Sequence, residues 1–171
     1  MNAGSTLVCA IVTHNVTIIL NIGDSRAYVV KQGKLNIATE DESLVWLEMQ
    51  HKAIQERKEI TLKDISDLRF DPDNNKITKA IGYPDLAKLQ IVGVKNDLYD
   101  KLLLFSDGVH DILSSEDIQV IANNTSPEKI TQVIVETALN KNAEKRNLRG
   151  EVERVVAGGK DNTTAAAYIR R

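Results

Sequence analysis

The side chains with the greatest chemical potential in this chain are carboxylates placed at the ends of apolar runs. Asp107 follows Leu102-Leu103-Leu104-Phe105-Ser106 and precedes Gly108, so it meets solvent only at the mouth of a buried-type strand. A carboxylate there must be hydrogen-bonded, paired or metal-bound to escape a desolvation penalty of several kcal/mol. Asp161, in Lys160-Asp161-Asn162-Thr163, stands in the same relation to the apolar run over 164–169. Asp24, in Gly23-Asp24-Ser25-Arg26, falls between two strand-like runs, where an Asp-Ser turn is expected on structural grounds alone. Asp111 lies four residues beyond Asp107 and shares its face if the segment is helical, although a helix-terminus role is an equal alternative. Oxygen ligands of this kind suit hard cations such as Mg²⁺ or Mn²⁺.

Other chemistries find less support. His14, His51 and His110 show no metal-ligand spacing, which argues against zinc and for exposed or structural roles. Gly158-Gly159-Lys160 continues into Asp161 where a phosphate-binding loop needs Ser or Thr, and its leading glycine is absent. There is no Gly-x-Ser-x-Gly nucleophile elbow.

The elements that must position these carboxylates are short strands. β-branched runs over 7–12 and 16–22 flank Thr13-His14-Asn15, a hairpin signal. Strands over 26–30 and 35–38, joined at Lys31-Gln32-Gly33-Lys34, continue this as an antiparallel meander. Ser43 opens a helix with Trp46, Met49, Ala53 and Ile60 on one face, of which Trp46 and Met49 read as core. The Asp, Asn and Pro of 70–75 read as a loop, and strands are expected over 76–81, 89–94 and 102–105. Ser114 with Asp117 resembles a capping box, opening a helix that turns Ile118 and Ile121 inward. Ser126-Pro127-Glu128 starts another helix, with Ile130, Val133, Ile134 and Ala138 on one face. Residues 140–160, polar and then Gly-rich, read as an excursion or partly helical flap before the last strand.

The order of motifs carries more information than any one of them. Gly4-Ser5-Thr6, Asn21-Ile22-Gly23-Asp24-Ser25-Arg26-Ala27-Tyr28, Thr39-Glu40-Asp41-Glu42-Ser43, Asn75-Lys76-Ile77-Thr78-Lys79-Ala80-Ile81-Gly82, Ser106-Asp107-Gly108-Val109-His110-Asp111 and Asp161-Asn162-Thr163-Thr164 follow one another along nearly the whole chain. Together they closely resemble the metal-dependent protein phosphatase 2C family.

The resemblance implies an α+β fold, an α-β-β-α sandwich of two antiparallel sheets flanked by helices. It implies Mg²⁺ or Mn²⁺ as cofactor, two or more ions in the complete domain, and hydrolysis of phosphoserine or phosphothreonine in a protein substrate by a metal-activated water. Asp107 and Asp161 match the family's two late metal-binding aspartates, and Asp24 and Asp111 match acidic positions associated with a further, weaker metal site. No substrate-binding residue is assigned. Family members carry, ahead of the Gly-Ser-Thr motif, an early acidic motif, an Asp-Gly-His-Gly motif and a phosphate-gripping arginine, and none of these is in this sequence. Glu42 stands where the family usually has histidine. The expectation is therefore a single phosphatase 2C-like domain over 1–171, incomplete at its N-terminus, impaired alone, with unpaired sheet edges that favour self-association. The alternative is a non-enzymatic phosphatase-like binding or dimerisation module.

Composition sets the outer bounds. The 171 residues suffice for one sizeable core. A net charge of −2 provides no basic field for nucleic acid. Cys9, the only cysteine, permits no intrachain disulfide and reads as a buried reduced thiol, which fits a cytoplasmic setting. The opening residues lack the basic and apolar regions of a signal peptide, and no segment reaches the roughly 20 apolar residues that span a bilayer.

Overall fold

The structure, a computed structural model, describes residues 4–83 and 89–170. Residues 1–3, part of the start read as lacking a signal peptide, lie outside the described residues. Strands β1 (Leu7–Val12) and β2 (Val16–Ile22) form the expected hairpin, closed by the Thr13 N–H donating to the Val16 carbonyl at 3.0 Å. β3 (Arg26–Lys31) and β4 (Lys34–Ile37) form a second hairpin. β5 (Gln90–Lys95) joins the first pair in a three-stranded sheet, order β1-β2-β5. β6 (Lys101–Phe105) and β9 (Ala165–Ile169) join the second in a four-stranded sheet, order β4-β3-β6-β9. All these pairings are antiparallel. The meander expectation is corrected: β2 and β3 do not pair, because the chain crosses from one sheet to the other at Gly23-Asp24-Ser25.

Strand alternation builds two cores. Ala27, Val29, Leu102 and Leu104 point between the sheets and meet Ile19, Val8, Ala10, Val92 and Val94 of the three-stranded sheet. The intervening Tyr28, Val30, Leu103 and Phe105 point the other way, onto helices. Those helices are α4 (Ser115–Asn124) and α5 (Ile130–Asn140), labelled after the three shorter or earlier helices α1 (Leu44–Glu56), α2 (Leu62–Asp67) and α3 (Asp107–His110). Ile118, Ala122, Ile130, Ile134 and Ala138 are fully buried on that face. The Ser114–Asp117 capping box forms as read, and Pro127 opens a 3-10 turn that leads into α5. The far face of the three-stranded sheet presents Leu7, Ile11 and Ile91 to solvent, with Ile91 63% exposed.

Three further expectations are corrected, and one helix is added. α1 stops at Glu56 because Arg57 takes a left-handed conformation (φ 52°), its N–H capping the Ala53 and Ile54 carbonyls, so Ile60 is exposed and off the helix. Residues 76–81 form no strand; Ile77 and Ile81 make isolated bridges to Ser43 and Ser5. The stretch 140–160 is a β-hairpin, β7 (Asn142–Arg146) paired antiparallel with β8 (Val152–Ala157). α2, unforeseen, is nucleated by a Thr61–Asp64 capping box. Trp46 is core as expected, Met49 half-buried, and Cys9 half-buried on the exposed sheet face. Among the described residues no helix is long and apolar enough to cross a membrane.

Candidate metal centre

Strand register brings the carboxylates together. In the four-stranded sheet Arg26 lies opposite Phe105, and Phe105 opposite Ala165. Because both pairings are antiparallel, the start of β3, the end of β6 and the start of β9 share one edge. Asp24, Asp107 and Asp161 occupy the three connections there. Asp111 follows one turn later, as the C-terminal cap of α3.

Two glycines allow the connections to approach. A Cβ on Gly108 would lie 2.5 Å from the Asn162 carbonyl oxygen and 2.9 Å from Thr163 Oγ1, so any side chain there would push the Asp161 loop from the Asp107 loop. The two loops are laced by the Ser106 N–H donating to the Thr164 carbonyl (3.1 Å), the Thr164 N–H to Ser106 Oγ (3.0 Å) and Ser106 Oγ–H to the Asn162 carbonyl (3.2 Å). Gly23 has φ 95°, and its missing Cβ would lie 2.5 Å from Thr6 Cγ2. The Gly-Ser-Thr motif thus packs on the Asp24 turn, with Thr6 Oγ1 3.2 Å from Ser25 Oγ.

The carboxylates repel one another. Burial, then the charges of Asp107 and Asp41, push Asp24 up to about 6. Burial, then Asp107, push Asp111 up to about 7. Asp107 is raised by burial and by Asp161. Asp111 Oδ2 accepts from Asn74 Nδ2 at 3.0 Å. His110 is buried; burial and Arg26 depress its pKa far below the ordinary range, so it is neutral, and its Nε2–H donates to the Asp24 carbonyl at 3.1 Å. Its role is structural, one of the two readings offered for it.

A second charged group supports the turn. Arg26 and Asp41 are both buried, with Nη2 to Oδ2 at 2.6 Å and Nε to Oδ1 at 2.9 Å, and the guanidinium lies 5.7 Å from the Trp46 ring centroid. Sequence reasoning quoted both residues inside motifs but did not pair them; an Arg at a strand start and an Asp just beyond the neighbouring strand was the available signal. Glu42, in the position where the family usually has histidine, accepts from the Gly23 N–H at 3.1 Å and from Lys79 Nζ at 2.6 Å, holding the turn from its other side.

All four expected site residues therefore lie at one edge of the sheet, and burial raises the pKa of Asp24, Asp107 and Asp111. Among the described residues no group of three His, Cys, Asp or Glu side chains stands ready to hold an ion together. The donor chemistry nevertheless suits a divalent cation: hard oxygen ligands, crowded enough to raise one another's pKa, gain from positive charge placed between them.

The comparisons agree with this geometry. The chain is 31% identical over 118 residues to the serine/threonine phosphatase stp of Listeria welshimeri, a match covering 69% of this chain and 43% of that protein. The structure superposes on serine/threonine phosphatase Stp1 of Staphylococcus aureus with a TM-score of 0.74 at 27% identity, covering 98% of this chain and 57% of that one. It also matches the fold of a PstP catalytic domain solved in complex with two manganese ions, TM-score 0.64 at 23% identity, covering 96% of this chain and 57% of that one. The chain thus spans about two-fifths of the Listeria relative and somewhat over half of each solved chain. The family model for protein phosphatase 2C matches residues 1–151. With that match, and with its aspartates gathered at one end of the four-stranded sheet, the chain belongs to the protein phosphatase 2C family.

Proposed function

We propose that residues 1–171 form one catalytic-type unit of a Mg²⁺- or Mn²⁺-dependent protein serine/threonine phosphatase, acting on phosphoserine or phosphothreonine in a cytoplasmic protein substrate. The observation that carries this reading is the meeting of Asp24, Asp107, Asp111 and Asp161 at one sheet edge, three of them destabilised as anions. Asp107 and Asp161 would hold the principal ions, with Asp24 and Asp111 a weaker one. When bound, such ions supply a nucleophilic water at neutral pH and neutralise charge on the phosphate.

The chain's own residues do the positioning. Gly108 admits the Asp161 loop beside Asp107, His110 holds the Asp24 carbonyl, and the Arg26–Asp41 pair fixes the start of β3. Asn74 holds Asp111 on the cleft side.

The test is release of phosphate from a phosphothreonine peptide by the protein in about 1 mM Mn²⁺, roughly the weak end of protein affinities for divalent cations. Hydrolysis abolished by Asp107→Asn is expected. Hydrolysis that survives Asp107→Asn and chelation alike overturns the assignment.

A second reading is favoured by the absence, among the described residues, of a ready three-ligand group. It makes this chain a binding or dimerisation module, with a second copy pairing on the edge of β1 and covering exposed Ile11 and Ile91. Light scattering separates the two: a monomer that takes up two ions, measured by calorimetry, excludes the module.

A further inference from the structure

Beside the carboxylates lies a cleft of about 340 Å³ whose lining holds both anionic and cationic side chains. Asp111 and Asp161 line it, and so do Arg69, Arg154 and Lys160. None of these three cations forms an ion pair among the described residues. Asp117, Asp67 and Asp111 act on Arg69 through space only.

The arginines are held by backbone, not by acids. Arg69 donates from Nη1 to the Ile112 carbonyl at 3.2 Å and stacks 4.7 Å from the Phe70 ring centroid, while its buried Nε has no partner. Arg154, on β8, donates to the Phe70 carbonyl and, at 3.4 Å, to that of Asp71. A guanidinium carries five N–H donors in a fixed fork, so backbone anchoring of one edge leaves the rest oriented for an anion. A buried donor without an acceptor forfeits a hydrogen bond unless something completes it. Lys160 adds an exposed ammonium one residue before Asp161.

We propose that Arg69, Arg154 and Lys160 form a recognition wall for an anionic group that flanks the phosphorylated residue of a peptide substrate. The inference rests on the metal-centre reading only for where the scissile phosphate sits, at Asp107 and Asp161. The cleft falls within the roughly 300–1,000 Å³ of ordinary ligand pockets, more room than one phosphate group uses. Carboxylates and cations line the same cleft, so a substrate that brings one phosphate to ions at the carboxylates has its neighbouring acid within reach of the arginines and Lys160. The hairpin β7–β8 is what supplies Arg154, which gives that hairpin a task in specificity.

The experiment measures binding of fluorescein-labelled peptides, with a non-hydrolysable phosphonate analogue in place of the phosphothreonine, to the 171-residue chain by anisotropy in Mn²⁺, so that ions are present and no turnover intervenes. The peptides carry Asp, a second phosphonate analogue, or Lys at the positions next to the first. The Asp peptide is expected to bind about tenfold tighter than the Lys peptide, and Lys160→Gln and Arg154→Gln each to narrow that ratio by about threefold. Comparing the Asp and double-phosphonate peptides tells a carboxylate-reading wall from a phosphate-reading one. Equal affinity for acidic and Lys peptides overturns the proposal, as does a ratio unmoved in Lys160→Gln, whose exposed side chain leaves the fold intact. Absent phosphatase activity with the ratio preserved would sink the functional assignment and leave this wall standing.

Discussion

Two clusters of buried or half-buried charge sit within one turn of each other, and they are built on opposite principles. Arg26 and Asp41 satisfy each other with several short contacts and need nothing from outside. Among the described residues Asp24, Asp107 and Asp111 form no ion pair with a lysine or arginine, and each is less acidic than an ordinary aspartate, first because of burial and then because of neighbouring carboxylates. The first arrangement is structural and the second is incomplete by design, since charge that the protein leaves unmatched must be matched by a ligand or a proton. That contrast, more than any single residue, is what singles out this edge of the sheet for the proposed site.

The sharpest way to break the comparison is to unbalance the matched pair. Asp41→Ala strands the Arg26 guanidinium, 4% exposed, beneath Trp46, and a loss of about 3–5 kcal/mol in urea unfolding is expected. A loss under about 1 kcal/mol, the range of surface pairs, would mean that the two clusters do not differ in kind.

Removing charge from the unmatched cluster should act in the other direction. A carboxylate whose folded pKa is raised binds a proton more tightly folded than unfolded, so it weakens the fold as pH rises from the unfolded value, 3.8, through the folded one. For Asp111 that window runs to about 7, and for Asp24 to about 6. The metal-free protein is therefore expected to lose stability between pH 4 and 7.5. Asp111→Asn should restore roughly 2–4 kcal/mol of it at pH 8 and nothing at pH 4. The neutral amide keeps an acceptor for Asn74 Nδ2 and places a donor toward His110 Nδ1, a buried nitrogen with no partner. Mn²⁺ added to the unsubstituted protein should flatten the same pH profile; a profile indifferent to both changes would show that the carboxylates do not sense one another.

The two clusters also differ in how legible they were. Asp107 and Asp161 stand out locally, each at the boundary of an apolar run, whereas Asp24 and Asp111 had equal or better structural readings and joined them only through motif order. The matched pair depends on β3 and β4 lying side by side, so that residues 26 and 41 meet, and nothing in either short motif says so. The same reason accounts for the misread elements. β7, Asn142–Arg146, has no apolar alternation and is held by backbone pairing with β8, so its composition reads as loop. α2 is too short for a helical period to appear, although Thr61 and Asp64 carried the signature of its start. α1 was overextended because its end is set by the backbone turn at Arg57, a residue type that seldom takes positive φ. The helices α4 and α5, with long apolar faces against the sheet, were readable because burial and period agree.

A milder prediction asks whether the geometry between the loops matters apart from charge. Gly108→Ala places a methyl 2.5 Å from the Asn162 carbonyl oxygen, and that atom belongs to backbone, which cannot rotate aside. The expected loss is about 1–3 kcal/mol of stability, as for other overpacked sites. Mn²⁺ uptake measured by calorimetry should weaken by more than stability accounts for, because the displaced Asp161 loop carries one of the two ligands that must converge. If Gly108→Ala costs stability and leaves Mn²⁺ affinity unchanged, Asp161 does not share an ion with Asp107. The carboxylate edge would then be a set of independent weak sites, and the contrast with Arg26–Asp41 would rest on charge alone.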